Sequence, residues 1–369
     1  MKKKVIAAGH ICLDITPVFP NKKVHQVSDI LLPGKLIQVD KADVHTGGSV
    51  ANTGLAMKIL GADVALMGKV GKDAFGDMIC NILKKYDADK GMICMEGEET
   101  SYSVVLAIPG TDRIFLHNPG ANDTFSSEDI PDIVLQEAAL LHFGYPPLMK
   151  KMYQNGGDEL LSLMKRAKKL GCITSLDMAA IDSDTEAGQL DWNQILKGVL
   201  PYVDIFVPSV EELCYMLDRE RFKNWQERAA GKDITEILDV EKDIKPLAEC
   251  CMQYGVKILL IKCGVPGIYY RTAESKLLRE LDLNVDDWAQ KEGFEKSYVP
   301  ERVLSATGAG DTSIAAFLTA MLEGYSLEET MRLTTATGAC CVTSYDALSG
   351  LQPFSVLKEK IDAGWKKRE

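Results

Sequence analysis

The feature that most restricts this chain is a rhythm. Short apolar runs of strand length alternate with longer segments of helical period from residue 3 to residue 217. Such alternation argues for βαβ units around a mostly parallel sheet. "KKVIAAGH" reads as the first strand, "SVANTGLAMKILG" as a helix closed by Gly61, "DVALMGKVG" as a strand and "AFGDMICNILKKY" as a helix. Then come strand "ALLHFG", helix "DELLSLMKRAKKLG" ended by Gly171, strand "CITSLD", helix "DWNQILKGV", strand "YVDIFVPS" and helix "VEELCYML". A charged stretch from Asp218 to Lys245 reads as a surface excursion, a solvated helix or else a partner surface. Strands "VKILLIKCG" and "GIYYR", a glycine-rich segment and two helices, about Leu327 to Ser344 and Phe354 to Trp365, complete the pattern.

Two regions break the rhythm, about 10–45 and 98–122. Both read as extended segments with turns, and "TSYSVVLAI" with "GTDRIFLH" reads as a hairpin around Pro109 and Gly110. They are the material for a small β lid on the main sheet. No internal repeat, heptad or low-complexity run occurs, so we expect one α/β domain over 1–369 with these two lid segments inserted.

Charge and cysteine usage exclude several functions. The net charge of -11 would repel a phosphate backbone, and the lysines of "MKKKV" and "GWKKRE" sit at the termini, so nucleic acid is not expected as a partner. Ten cysteines without CxxC spacing fit reduced thiols and a cytoplasmic location. The apolar start is broken by His10 and Asp14, and no run approaches the length needed to cross a membrane. The histidines at 10, 25, 45, 117 and 142 include no HExxH. Walker A, GxGxxG and GxSxG patterns are also missing.

What remains is a small set of glycine turns and carboxylates. In "SATGAGDTSIAAFLTAML", Gly308 and Gly310 let the backbone turn sharply ahead of a helix whose unpaired N–H groups attract anions, and Asp311 stands just inside it. In "HTGGSVANTGLAMKILG", Gly47 and Gly48 precede Ser49 and Asn52; this is either a tight turn with a cap or a place where a ring approaches bare backbone while the Asn52 amide reaches a hydroxyl. Asp14 follows the first strand, where open α/β sheets bind ligands, and reads equally as a turn carboxylate or a sugar anchor. "KCGVPGIYY" is either a hairpin turn or a nucleotide turn. Together these features suggest phosphoryl transfer, which needs placement of a hydroxyl, stabilisation of spreading charge and a base; Asp311 is suited to be that base.

With those residues in view, the chain resembles the ribokinase-like (PfkB) carbohydrate kinases over nearly its whole length. The segments "GGSVANTGLAMKILGADVALMGKVGKDAFG" and "TGAGDTSIAAFL" look like that family's two signatures, in the right order. The resemblance implies a three-layer α/β/α core with a small β lid, ATP as donor, Mg²⁺, and transfer of the γ-phosphoryl group to a primary hydroxyl of a sugar. By position, Asp311 matches the catalytic base and the Gly308, Ala309 and Gly310 backbone the anion hole. Asp14, Gly47, Gly48 and Asn52 match the acceptor-holding positions, with Asn122 of "HNPGAND" near them. "VPSVEEL" is similar to an NxxE motif, giving Glu212 to the magnesium through water, with Ser209 in place of Asn. Gly264 and Gly267 match the turn that lines ATP. Ser305-Ala306 stands where the family carries Asp-Thr at a monovalent cation site, which leaves potassium activation open.

The acceptor follows less directly from these motifs. A free sugar is our first expectation. A nucleoside is the alternative, favoured by Phe19, Phe115 or Tyr102 stacking on a base, and a phosphorylated acceptor would call on Arg113, Lys69 or Lys72. Two readings of other classes are a non-catalytic sugar or nucleotide sensor on the same fold and a nicotinamide-dependent oxidoreductase, the latter without its glycine fingerprint. The lid sheet offers a surface for a homodimer.

Overall fold

The computed structural model describes residues 4–19, 28, 31–108 and 114–368. Its strands are β1 (Val5–Gly9), β2 (Cys12–Pro17), β3 (Ala42–Gly47), β4 (Val64–Gly71), β5 (Met92–Met95), β6 (Tyr102–Leu106), β7 (Ile114–Asn118), β8 (Leu140–Gly144), β9 (Ile173–Asp177), β10 (Ile205–Phe206), β11 (Ile258–Lys262), β12 (Gly267–Thr272) and β13 (Glu292–Lys296). Among the described residues they form a nine-stranded sheet, order β13-β12-β11-β10-β9-β8-β1-β4-β5, and a four-stranded sheet, order β3-β2-β6-β7. The large sheet is parallel from β11 to β5, and β12 and β13 add to its edge antiparallel. The strand rhythm thus gives the mostly parallel sheet it predicts.

The sheet is covered on both faces, as its uninterrupted apolar strands require. One face packs on helices Ser49–Ile59, Ala309–Glu323 and Leu327–Cys341, with Leu55, Leu66, Phe317 and Met331 in the shared core. The other packs on Lys150–Lys169, Trp192–Val199, Val210–Leu217 and Lys245–Gln253, around Phe143, Leu163, Trp192 and Phe206. The arrangement is three-layered. Helix Ala309–Glu323 is buried from Asp311 to Met321, which explains why "TSIAAFLTAM" lacks a polar face.

The small sheet is built from the two regions that broke the rhythm. β2 pairs antiparallel with β3 and parallel with β6, and β6 pairs antiparallel with β7, Leu106 opposite Ile114. The turn expected at Pro109 and Gly110 lies outside the described residues.

Three details depart from the sequence reading. Helix Lys150–Lys169 is interrupted at Gln154 to Gly157, where Asn155, Gly156 and Gly157 are left-handed, so the regular part begins near the expected Asp158. Edge strands β5 and β13 were not anticipated, because "MICM" and "EGFEK" are too short and mixed to declare a period. The charged excursion is helical over Arg219–Ala229, yet it is anchored: Trp225 is fully buried and its indole N–H donates to Asp243 Oδ1 at 3.0 Å, while Arg228 pairs with the same carboxylate. Trp225→Ala should therefore destabilise the protein by about 3–5 kcal/mol, readable as a lower denaturant midpoint. A loss below about 0.5 kcal/mol would mean that the excursion is the loosely attached helix its charge suggested.

Candidate active site

In an open parallel sheet, ligands gather beyond the carboxyl ends of the strands, where the chain turns to opposite sides. Here that point is β1, flanked by β4 and β8. The residues at these ends are His10 after β1, Tyr145 after β8, Asp177 closing β9 and Lys262 closing β11. Helices Ser49–Ile59 and Ala309–Glu323 start at the same rim, each behind a glycine in the N-cap position with no side-chain cap, Gly48 (φ 84°) and Gly308 (φ 75°). A Cβ on Gly308 would stand 2.3 Å from the Cβ of Ala347, so both the left-handed turn and the close packing demand glycine there.

Asp311 lies where these elements meet. Its Oδ2 accepts from the Asn52 amide at 3.0 Å, and its Oδ1 accepts from the Tyr145 hydroxyl at 2.7 Å, with Thr53 Oγ1 at 3.5 Å. The carboxyl is 5% exposed. Burial pushes its pKa above the ordinary carboxylate range, against the pull of the Lys262 ammonium and of the hydrogen bonds from Tyr145 and Asn52. A base must be ionised to act, so with Asp311 in the expected role of base activity should fall as pH drops through this raised pKa, which puts the acid limb of the rate profile above that of a surface carboxylate. Tyr145→Phe removes a donor to the ionised form and should move that limb further up; an unmoved limb would show that Asp311 does not set it.

The anion-hole expectation is changed in one particular. The first helical bond is Thr312 N–H to Gly308 O at 2.8 Å, so the amides of Gly310 and Asp311 precede the helical acceptors, as expected of a helix start. The Ala309 amide instead donates to Ala306 O at 3.3 Å within the turn. The turn closes on itself at Ala309, so an incoming anion would have to compete for that amide.

On the acceptor side, Asp14 faces the same crevice. Gly47, opposite Cys12 across β2 and β3, brings bare backbone against it: a Cβ there would sit 2.1 Å from Asp14 Oδ2. Cys12 Sγ donates to Asp14 Oδ1 at 3.3 Å and His45 Nε2 stands 3.9 Å from Oδ2. Burial raises the Asp14 pKa, with His45 opposing. Beside it, His10 and His117 bring their Nε2 atoms to 3.3 Å, and His117 Nδ1 lies 3.0 Å from Ser103 Oγ. The His10 ring lies behind Gly48, whose missing Cβ would be 2.6 Å from Nδ1. A cavity of about 1310 Å³ runs from Asp14 and His45 past Phe19 to Thr307 and Asp346.

Asn122 is bonded to the backbone. Its amide is fully buried and spent on the backbone, accepting from Ile11 N–H at 3.1 Å and donating to Ile11 O and Pro119 O at 2.9 and 3.1 Å. It ties the chain between β1 and β2 in place, with both N–H groups of its amide engaged. Lys69 is likewise engaged, with Asp129 at 3.0 Å and Thr124 O at 3.1 Å, and Lys72 pairs with Glu96. Arg113 lies outside the described residues. Of the three aromatics considered for a base, Phe19 lines the cavity, Tyr102 packs edge-on against Phe75 at 5.5 Å, and Phe115 is 52% exposed on β7.

Toward β10 and β11, Ser209 and Glu212 form a capping box. The Ser209 hydroxyl accepts from Glu212 N–H at 3.2 Å and Glu212 Oε2 accepts from Ser209 N–H at 2.8 Å. A serine fills this cap as well as an asparagine, which gives the substituted motif a local physical reason. "KCGVPG" is a hairpin turn, Cys263 N–H donating to Gly267 O at 2.9 Å. The bare side of Gly267 faces Glu295 O of β13, and that of Gly264 faces Thr235. Strand and loop packing thus gives each glycine a local reason, beside the ATP-lining role expected of them.

Tyr145, His10, His117, Asp177 and Lys262 also meet at this rim, beyond the residues the sequence singles out. The strand-end rule that singled out Asp14 applies equally to four of them, and only His117 needed the pairing of β6 with β7 to be seen.

A three-layer fold with an acid buried at a helix start and a small sheet beside it suits a phosphotransferase that acts on an alcohol group. The chain belongs to the pfkB family of carbohydrate kinases, whose description, pfkB family carbohydrate kinase, matches residues 3–353. Probable fructokinase-5 of Arabidopsis thaliana is 26% identical over 318 residues, 83% of this chain and 84% of that protein. A 5-dehydro-2-deoxygluconokinase of Clostridium perfringens is 24% identical over 366 residues, 98% of this chain and 93% of the relative. The fold is shared with an Escherichia coli structure solved in complex with ATP and Mg²⁺, at a TM-score of 0.70, 20% identity, and 98% and 99% coverage.

Proposed function

We propose that this sugar kinase transfers the γ-phosphoryl group of ATP to a primary hydroxyl of an uncharged sugar. The observation that carries the reading is the Asp311 carboxylate, buried at an uncapped helix start and hydrogen-bonded to Asn52 one helix turn from Gly48. The acceptor is held by Asp14, the Gly47 and Gly48 backbone and Asn52, with its reactive hydroxyl toward Asp311. The oxygen–phosphorus bond forms as the bond to the β-phosphate breaks, the hydroxyl proton passes to Asp311, and ADP leaves. The Gly308 to Gly310 turn lies over the transferring group, with Gly310 and Asp311 as its first amide donors. The hairpin turn with Gly264 and Gly267 borders the donor side. Glu212 offers a hard oxygen suited to magnesium, held through water, and the ion would neutralise charge on the β- and γ-phosphates. The small sheet acts as a lid that excludes water. Its β7 edge, with Phe115 and Leu116 more than half exposed, is the surface we assign to a second copy.

The free sugar is favoured because Lys69 and Lys72 are both paired within the protein, leaving neither to meet an acceptor phosphate. A nucleoside remains the second reading, on the single observation that Phe19 walls the cavity. A screen for ADP release across pentoses, hexoses, sugar acids, nucleosides and sugar phosphates tests both. Turnover of free sugars with sugar phosphates inert is the expected result, and turnover of sugar phosphates alone would overturn it. Ser305 uses its hydroxyl within the turn, accepting from Thr307 N–H at 3.1 Å, so a carboxylate for a cation is replaced by an engaged neutral group. Added potassium is accordingly expected to leave the rate unchanged in the same assay.

A further inference from the structure

Lys262 is a largely enclosed cation at this rim, its side chain 15% exposed, that the reaction above does not use. It closes β11, and Ser209, the cap of helix Val210–Leu217, lies alongside it in a parallel bridge. Its Nζ donates to Asp177 Oδ1 at 2.7 Å. It also reaches the start of helix Ala309–Glu323, since a methyl group placed on Gly310 would lie 3.4 Å from Cδ and 3.7 Å from Nζ. The ammonium therefore hangs over the amide turn, within one phosphate oxygen of the helix start.

A purely structural role for this ion pair fits poorly. At the opposite end of the sheet, buried Asp204 shows what a closed pair looks like. One oxygen accepts from Lys168 and Lys257, and the other accepts from the amide and hydroxyl of Thr174 at 3.0 and 3.2 Å. Asp177 is as deeply buried, yet its Oδ2 has no partner, and Asp177 is the hydrogen-bond partner found for the Lys262 ammonium. The ammonium carries three donors, of which the described residues take the one to Asp177, and it stands beside a helix N-terminus, so donors remain for an anion there. Charge points the same way: burial pulls the Lys262 ammonium down, but Asp177, Glu212 and Asp311 together hold it above its ordinary value. It stays a cation at neutral pH.

We propose that Lys262 is a catalytic residue whose ammonium binds an oxygen of the γ-phosphoryl group of the nucleoside triphosphate during transfer, with Asp177 orienting it. The proposal rests on the kinase reading above and adds a named contact to it. The lysine takes no proton and forms no bond. It offsets negative charge on the group in flight, beside the Gly310 and Asp311 amides and opposite Asp311 as base. Because ADP lacks the γ-phosphoryl group, the contact should be felt by the triphosphate alone.

Calorimetric titration of the full chain with Mg²⁺ and either AMP-PNP or ADP tests this directly. Lys262→Met should weaken AMP-PNP about ten- to a hundredfold while ADP changes by less than about twofold. Turnover should fall about 10²- to 10³-fold with little change in the acceptor KM. Because the single variant leaves Asp177 buried without its cation, Lys262→Met/Asp177→Asn is measured beside it as a neutral pair and should show the same selective loss. Equal weakening of both nucleotides, or of neither, overturns the proposal. If no acceptor in the ADP-release screen is turned over but AMP-PNP is still selectively weakened, the assignment of Lys262 stands and the sugar-kinase reading is what fails.

Discussion

Asp311→Asn is expected to lower turnover by about 10²- to 10⁴-fold while leaving the fold and ATP affinity close to those of the parent. The size follows from the role proposed for the carboxylate: an amide has nearly the same shape and cannot accept the hydroxyl proton. The neutrality of the fold follows from its partners. Oδ2 takes a hydrogen bond from Asn52 and Oδ1 takes one from the Tyr145 hydroxyl. An asparagine oxygen can keep the first, and its NH₂ can donate to the tyrosine oxygen once that hydroxyl rotates. Removing a buried charge also relieves the desolvation that raises the Asp311 pKa. Steady-state kinetics with a thermal melt checks both halves, and a variant with parental turnover would mean that another group takes the proton.

Gly47→Ala should act on the acceptor alone. The new methyl would lie 2.1 Å from Asp14 Oδ2 and 2.5 Å from its Cγ, distances at which something must move. The backbone has little room to yield, because β2 and β3 are paired from Cys12 opposite Gly47 through Asp14 opposite His45. The carboxylate must rotate away and, in the role proposed for Asp14, would give up its hydrogen bonds to the sugar. Loss of two bonds to a charged group predicts a fall in kcat/KM for the acceptor of about 10²-fold or more, with the ATP KM unchanged. Gly198→Ala is the matched control, since nothing lies within 4 Å of its added methyl. A parallel loss of ATP binding in Gly47→Ala would show that the strand itself had shifted.

The sequence signals worked where the cause was local. The length of the small and apolar run in "SVANTGLAMKILG" and the Gly61 that ends it place a helix at Ser49–Ile59 without help from distant residues. The charged excursion misled because charge reports the exposed face of a helix and is silent about the one indole on the other side, Trp225. The amide of Asn122 completes the backbone of Ile11, a pairing across 111 residues that no local signal carries. Short edge strands such as Glu292–Lys296 owe their form to the neighbour they pair with, and so leave no period of their own.

The sequence by itself determined the parallel sheet, its two helical layers, the extended segments of the small sheet and the acid at the helix start. Each of these follows from spacing, propensity and the conformational freedom of glycine along one stretch of chain. Tertiary structure alone decided that Tyr145 and Asn52 grip Asp311, that Lys262 meets Asp177 above Gly310, and that His10 meets His117. Those partners lie as far as 259 residues apart in the chain, and only the strand order brings their ends to one rim. Burial there then changes their acidity, a property that no residue carries before the sheet has closed around it.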